Sequence, residues 1–87
     1  MTRKQVRNSV DILRDYTILK LGGWEDRQGC RDLLYDLKAL IRSEREYLAI
    51  MMRDRSSGKL EALIDRLNID ILSHEMMARA LYAHSKR

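Results

Sequence analysis

Apolar residues recur along the chain at the three-to-four-residue spacing of an α-helix, and no stretch alternates residue by residue as an exposed strand does. The chain has no proline, and its four glycines are at positions 22, 23, 29 and 58. We therefore expect breaks near Gly22–Gly23 and Ser56–Ser57–Gly58. The pattern predicts one small all-α domain, a bundle of three helical blocks over residues 1–22, 24–55 and 58–87.

The first block predicts an amphipathic helix, with Gly22 at the C′ position just after it. Its apolar positions are expected on one broad arc: Val6, Val10, Ile12, Leu13, Tyr16 and Leu19. Asp11 and Asp15 lie among the arginines of the opposite side, which favours a self-neutralised, solvated surface over a phosphate-binding one. We expect Trp24, which follows this block, to fill a gap between helices.

The second block has two interpretations. It fits a single helix from about Asp26 to Met52, because its apolar residues share one wide arc: Cys30, Leu33, Leu34, Leu37, Leu40, Ile41, Tyr47, Leu48, Met51 and Met52. However, Ser43 and Glu46 have the spacing of a capping box, which equally supports a new helix beginning near Ser43.

The third block also has two interpretations, and the function depends on them. As one helix it carries an uninterrupted apolar stripe and would form a long hairpin with the second block. As two helices, Asn68 would take the left-handed conformation and Asp70 would cap the next helix, as in a helix-turn-helix. A continuous helix through Asn68–Asp70 would remove the geometry that reads a major groove, and would favour protein binding.

Composition is that of a folded domain, with 45% hydrophobic and 34% charged residues. A chain of 87 residues supports only a small core, so a partner subunit is a reasonable expectation. We expect a homodimer because one neighbouring helix cannot cover both the main stripe and a second apolar set, which comprises Ile69, Leu72, Met76 and Met77.

The net charge and the cysteine content bear on the possible binding partners and on the cellular compartment. The net charge of +4 comes mostly from the N-terminal residues and permits nucleic-acid binding without requiring it. Cys30, the single cysteine, cannot form an internal disulfide, and no leader-like segment opens the chain, so we expect the cytoplasm. No apolar run reaches the length of a membrane span.

No motif of catalysis or cofactor binding is present, so we expect neither an enzyme nor a small-molecule substrate. His74 and Glu75 begin like a zinc-protease motif, but Ala78 stands where the second histidine is needed. His84 points elsewhere on a continuous helix, and Cys30 lies in an apolar stripe where thiols are usually inert. Residues 60–67 resemble a helix of the chorismate mutases, but in that family such a helix opens the chain.

A further resemblance covers most of the chain. Ser43–Leu48 resembles the opening helix, residues 60–69 the first helix and turn, and Arg79–Leu81 the end of the recognition helix of the fourth region of sigma factors. The stretches Val10–Tyr16 and Leu33–Lys38 resemble the leading part of the related small phage transcription regulators of the ArpU type. The loop at Arg55–Lys59 is longer than in that family.

The resemblance implies a DNA-binding regulator whose recognition helix spans about residues 71–84. On this basis Ser73 and His74 would contact base edges in double-stranded DNA. The residues that would contact phosphate are Arg66, Arg79, Lys86 and Arg87. Ile64 and His74 depart from the family pattern, which expects a small residue and an apolar one there. The alternative hypothesis is a helical module, such as an inhibitor, adaptor or assembly factor, that binds a protein through apolar helix faces.

Overall fold

The computed structural model describes residues 7–53 and 58–86 of the chain. These residues form three helices: α1 (Ser9–Leu21), α2 (Arg27–Arg53) and α3 (Gly58–Ser85). Helices make up the regular structure of this part of the chain, with no strand, so the prediction of a small all-α bundle is confirmed.

Both ends of α1 are fixed by local hydrogen bonds. At its start, the Asn8 side chain accepts the backbone N–H of Asp11 at 2.9 Å, so the helix begins at Ser9. At its end, the Trp24 N–H donates to the Leu19 carbonyl and the Gly23 N–H donates to the Lys20 carbonyl. These are the two hydrogen bonds of a Schellman motif. Gly23 has a φ of +71° and holds the left-handed C′ position, so the prediction that Gly22 would do so is wrong by one residue.

The second helix runs without interruption. The Asp26 carboxylate accepts the Gly29 backbone N–H at 2.9 Å and caps the start of α2. The alternative break near Ser43 does not occur, because residues 43–46 are helical. Glu44 and Arg45, in this stretch, contact α3. These side chains therefore join two helices and do not cap a new one.

The third helix is also continuous, through Asn68, Ile69 and Asp70. The alternative with a helix-turn-helix in this block is therefore wrong. Ile64 and Ile71 are both buried, on either side of the proposed turn, so an uninterrupted helix keeps both in the core. A left-handed residue at Asn68 would rotate one of them away from α2.

The core joins all three helices. Its buried members are Ile12, Cys30, Leu33, Leu34, Leu37 and Leu81, with Tyr16, Leu19, Trp24, Leu40, Ile41, Met77 and Ala78 packed against them. On α1 only the side that carries Ile12, Tyr16 and Leu19 faces inward. Val10 and Leu13 are exposed, because they lie on another side of the helix, and their predicted inward position is wrong.

The helices α2 and α3 form an antiparallel hairpin, and α1 lies along the first half of α2. In the hairpin, Glu44 contacts His74 and Arg45 contacts Glu75, which fixes the register. Arg7, next to the start of α1, reaches Asp36, whereas Leu19 lies near Gly29, so α1 is antiparallel to α2. A Cβ on Gly29 would lie closest to the capping Asp26 carboxylate and 3.1 Å from Leu19 Cδ2, so the glycine leaves room for the cap and for the approach of α1.

The first prediction concerns the turn after α1. Gly23→Ala should destabilise the protein by about 1–2 kcal/mol, because an L side chain disfavours the left-handed backbone even where nothing else obstructs it. Gly22→Ala is the matched control: its φ is −80° and an added Cβ meets only ordinary contacts, so stability should stay the same or rise slightly. Urea denaturation of the three proteins measures both changes, and equal effects would contradict the assignment.

Candidate functional site

The residues expected at a DNA site do not converge on one surface. Ser73 and Arg79 are exposed on different sides of α3, and Arg66 is some 20 Å from Arg79 along the axis, at 1.5 Å per residue. Lys86 lies beyond the last turn with its Nζ 4.4 Å from the centre of the Tyr82 ring. Arg87 falls outside the described residues.

His74 is buried and contacts α2, so its expected role at a base edge is wrong. It is 7% exposed, and its Nδ1 lies 2.7 Å from Glu44 Oε1. Its neighbour Glu75 forms an ion pair with Arg45 one position further along α2. These two polar contacts link the middle of α2 to the middle of α3.

A second polar cluster holds α1 against α2. The Arg7 guanidinium pairs with Asp15 of α1 and lies 3.3 Å from Asp36 of α2. The hydrogen bonds to these two carboxylates raise the pKa of Arg7, so the side chain stays charged and bridges the helices. We assign this cluster a structural role, since all three members are engaged with one another.

The single cysteine is buried, and the described residues form no metal-binding cluster. Cys30 is fully buried, and this burial, with a smaller effect from Asp26, raises the pKa of its thiol. Among residues 7–53 and 58–86, no three His, Cys, Asp or Glu side chains lie close enough to hold a metal ion. His84 stacks on Trp24 with ring centroids 4.3 Å apart, and Trp24 meets Tyr16 edge-on, so Trp24 fills the gap between α1 and α3 as predicted.

The groove between α2 and α3 is covered by α1 at one end only. The side of α2 that faces α1 carries Gly29, Leu33 and Asp36. By helical spacing, Leu40 and Tyr47 lie further along the same side of α2. Beyond α1 a cleft of about 230 Å³ remains, and its rim is formed by Arg66 and Asp70. We call this cleft the open half-groove; its apolar lining residues are Tyr47, Met51, Leu63 and Leu67. Tyr47 and Leu63 are more than half exposed there.

Cations line the opposite flank of the hairpin. Arg31, Lys38 and Arg42 recur on one side of α2, and within the described part of the chain none of them forms an ion pair. The antiparallel register brings Lys86, at the end of α3, to the same side. We call these four residues the basic flank. The rings of Tyr35 and Tyr82 are exposed; Lys86 lies over the Tyr82 ring, and Tyr35 follows Arg31 by one helical turn.

The residues expected at a subunit interface divide into two groups. Ile69, Leu72 and Met76 are 65%, 61% and 70% exposed and share the side of α3 that faces away from α2. We call this surface the outer face of α3. Met77 is instead packed against the core, because it lies about 100° round the helix from Met76.

Comparison with protein-family models, with curated proteins and with solved structures finds no match for this chain. The resemblance to sigma-factor and ArpU-type regulators therefore stays a prediction. None of the described helices is both long and apolar enough to cross a membrane.

The second prediction concerns the contact between His74 and Glu44. Replacing either residue with alanine should cost about 2–3 kcal/mol, because the remaining polar group stays buried without its partner. The double variant should cost less than the sum, with a coupling of about 1 kcal/mol or more. Ser73→Ala, one position away but exposed, should change stability by less than about 0.5 kcal/mol. Urea denaturation measures all four variants, and strict additivity would refute the pairing.

Proposed function

We propose that this chain is a non-enzymatic protein-binding module that takes an amphipathic helix of a partner protein in the open half-groove. The observation that carries the proposal is the continuity of this groove. One helix of the chain, α1, already covers its other half with Ile12, Tyr16 and Leu19, so the hairpin is shaped for a helix lying across it. Helix-in-groove recognition of this kind uses apolar anchors spaced one turn apart.

The lining of the open half-groove supports this kind of occupant. Tyr47 and Leu63 lie on facing walls, with Met51 and Leu67 between them. Aromatic and Met side chains are common at interfaces because they offer large, adaptable contact areas. Arg66 and Asp70 at the rim offer one charge of each sign, which suits the polar edge of an amphipathic helix.

The continuous α3 argues for this function over recognition of a major groove. A helix-turn-helix needs a second helix that projects away from the first, and here Asn68–Asp70 lie in mid-helix. His74, one of the two residues expected at base edges, is buried and contacts Glu44 instead. The polar residues of α3 thus lack the arrangement that reads base edges.

The third prediction tests the open half-groove. Leu63→Glu should weaken binding of the partner at least about tenfold, because it places a charge at an apolar anchor. Val10→Glu makes the same change at an exposed apolar residue of α1 outside the groove and should leave binding intact. Proteins captured from an extract of the source organism by wild type and both variants can be compared, and the affinity of the identified partner then measured by calorimetry.

Site-specific cross-linking adds a direct measure of position. A photoreactive side chain at Tyr47 should attach to a helical segment of the partner, whereas one at Val10 should not. Equal capture by wild type and Leu63→Glu, or equal cross-linking from both positions, would contradict the proposal.

The basic flank favours a second candidate function, contact with the phosphate backbone of a nucleic acid. Arg31, Lys38 and Arg42 extend along about 16 Å of α2 at 1.5 Å per residue, and tyrosines lie beside them. Unpaired cations with interleaved aromatic rings bind nucleic-acid backbones without reading sequence. This surface shares Lys86 with the residues that the family resemblance implies, but Arg66 and Ser73 of that set lie elsewhere on α3.

The fourth prediction separates these two nucleic-acid surfaces. If the basic flank binds phosphate, Lys38→Gln with Arg42→Gln should reduce the slope of log K against log salt by roughly 2, because each lost contact releases about one counterion fewer. Arg66→Gln should leave the slope unchanged. A salt titration on duplex and single-stranded DNA measures the slopes. An effect of Arg66→Gln alone would support the resemblance instead, and no affinity at low salt would exclude this second function.

A further inference from the structure

The outer face of α3 is an apolar stripe on the side of the hairpin away from its core. Ile69, Leu72 and Met76 follow one another at intervals of three and four residues, the spacing of a coiled-coil seam. The opposite side of the same helix carries Ile64, Ile71 and Leu81, which are buried. A helix with apolar residues on both sides is expected to have a neighbour on both sides.

Small residues extend this stripe in both directions. Ala62 precedes Ile69 by seven residues, and Ala83 follows Met76 by seven. Both fall at the same heptad position as Ile69 and Met76. Small side chains at the ends of the seam allow a second helix to lie close along the whole length of α3.

The charges on this face are arranged symmetrically about Leu72. Asp65 lies seven residues before it and Arg79 seven residues after it, so each is about 10 Å away along the helix axis. Within the described part of the chain neither side chain forms an ion pair. One carboxylate and one guanidinium at equal distances from a central apolar residue make the face complementary to itself.

We propose that two copies of this chain associate through the outer face of α3, as an antiparallel helix pair about a two-fold axis at Leu72. In this arrangement Leu72 packs on Leu72 of the partner subunit, and Ile69 packs near Met76 of the partner subunit. Asp65 meets Arg79 of the partner subunit at both ends of the seam. A parallel pair would instead place Asp65 against Asp65 of the partner subunit and the two arginines together, which like-charge repulsion opposes.

This interface goes beyond the proposed function, since it uses a different side of α3 from the open half-groove. In such a two-fold contact both copies contribute the same residues, so even a short apolar stripe buries twice its own area. The dimer leaves Leu63 and Tyr47 of both copies accessible and thus presents two grooves. Failure of dimerisation and failure of partner binding are separate results for this reason.

The fifth prediction is a charge exchange. Sedimentation equilibrium of the full chain at micromolar concentration should show a dimer for wild type. Asp65→Arg and Arg79→Asp, made separately, should each weaken dimerisation about tenfold or more, because each places like charges together at both ends. The double variant D65R/R79D restores both attractive contacts and should dimerise within about threefold of wild type.

Two further variants control for charge and for folding. Arg66→Asp makes the same change of charge as Arg79→Asp on the groove side of α3, and should leave the dimer intact. Leu72→Glu should give a monomer with unchanged helix content, because Leu72 is mostly exposed in the single chain. The proposal would be overturned if wild type stayed monomeric at 100-fold above micromolar concentration. It would also be overturned if the double variant dimerised as weakly as the single variants.

Discussion

The antiparallel register of α2 and α3 is the constraint on which the rest of the structure depends. It is set in mid-hairpin by two adjacent polar contacts, Glu44 with His74 and Arg45 with Glu75. Apolar packing alone tolerates sliding by one turn, because aliphatic side chains one turn apart offer similar surfaces. The buried imidazole of His74 does not tolerate such sliding, since a shift of register would leave it in the core without its carboxylate partner.

This register also distributes the surface chemistry of the hairpin. One flank is divided between α1 and the open half-groove, and the other carries the cations of the basic flank. The outer face of α3 faces away from α2 altogether. Three surfaces of different chemistry thus follow from one pairing of helices.

The small size of the domain explains why so much apolar surface stays outside. A helix of 13 residues, α1, cannot cover a hairpin whose arms have 27 and 28 residues. The core therefore concentrates at the end of the hairpin where all three helices meet, around Leu37 and Leu81. At the other end, Tyr47 and Leu63 stay exposed because the chain has no further described helix to place over them.

The sequence by itself determined the helical class, the break at Gly22–Gly23 and most of the inward residues of α2, because these depend on local periodicity and on glycine. Tyr47 and Met52, which share the same predicted arc, are exposed. The sequence also indicated that Ile69, Leu72 and Met76 lie outside the main apolar stripe of the third block. Only the tertiary structure decided whether Ser43 and Asn68 end helices. A cap or a left-handed residue changes the free energy by about 1 kcal/mol, whereas burying both Ile64 and Ile71 on one side contributes several. Likewise, no local pattern identifies His74 as buried or pairs it with Glu44, since that contact joins residues thirty positions apart.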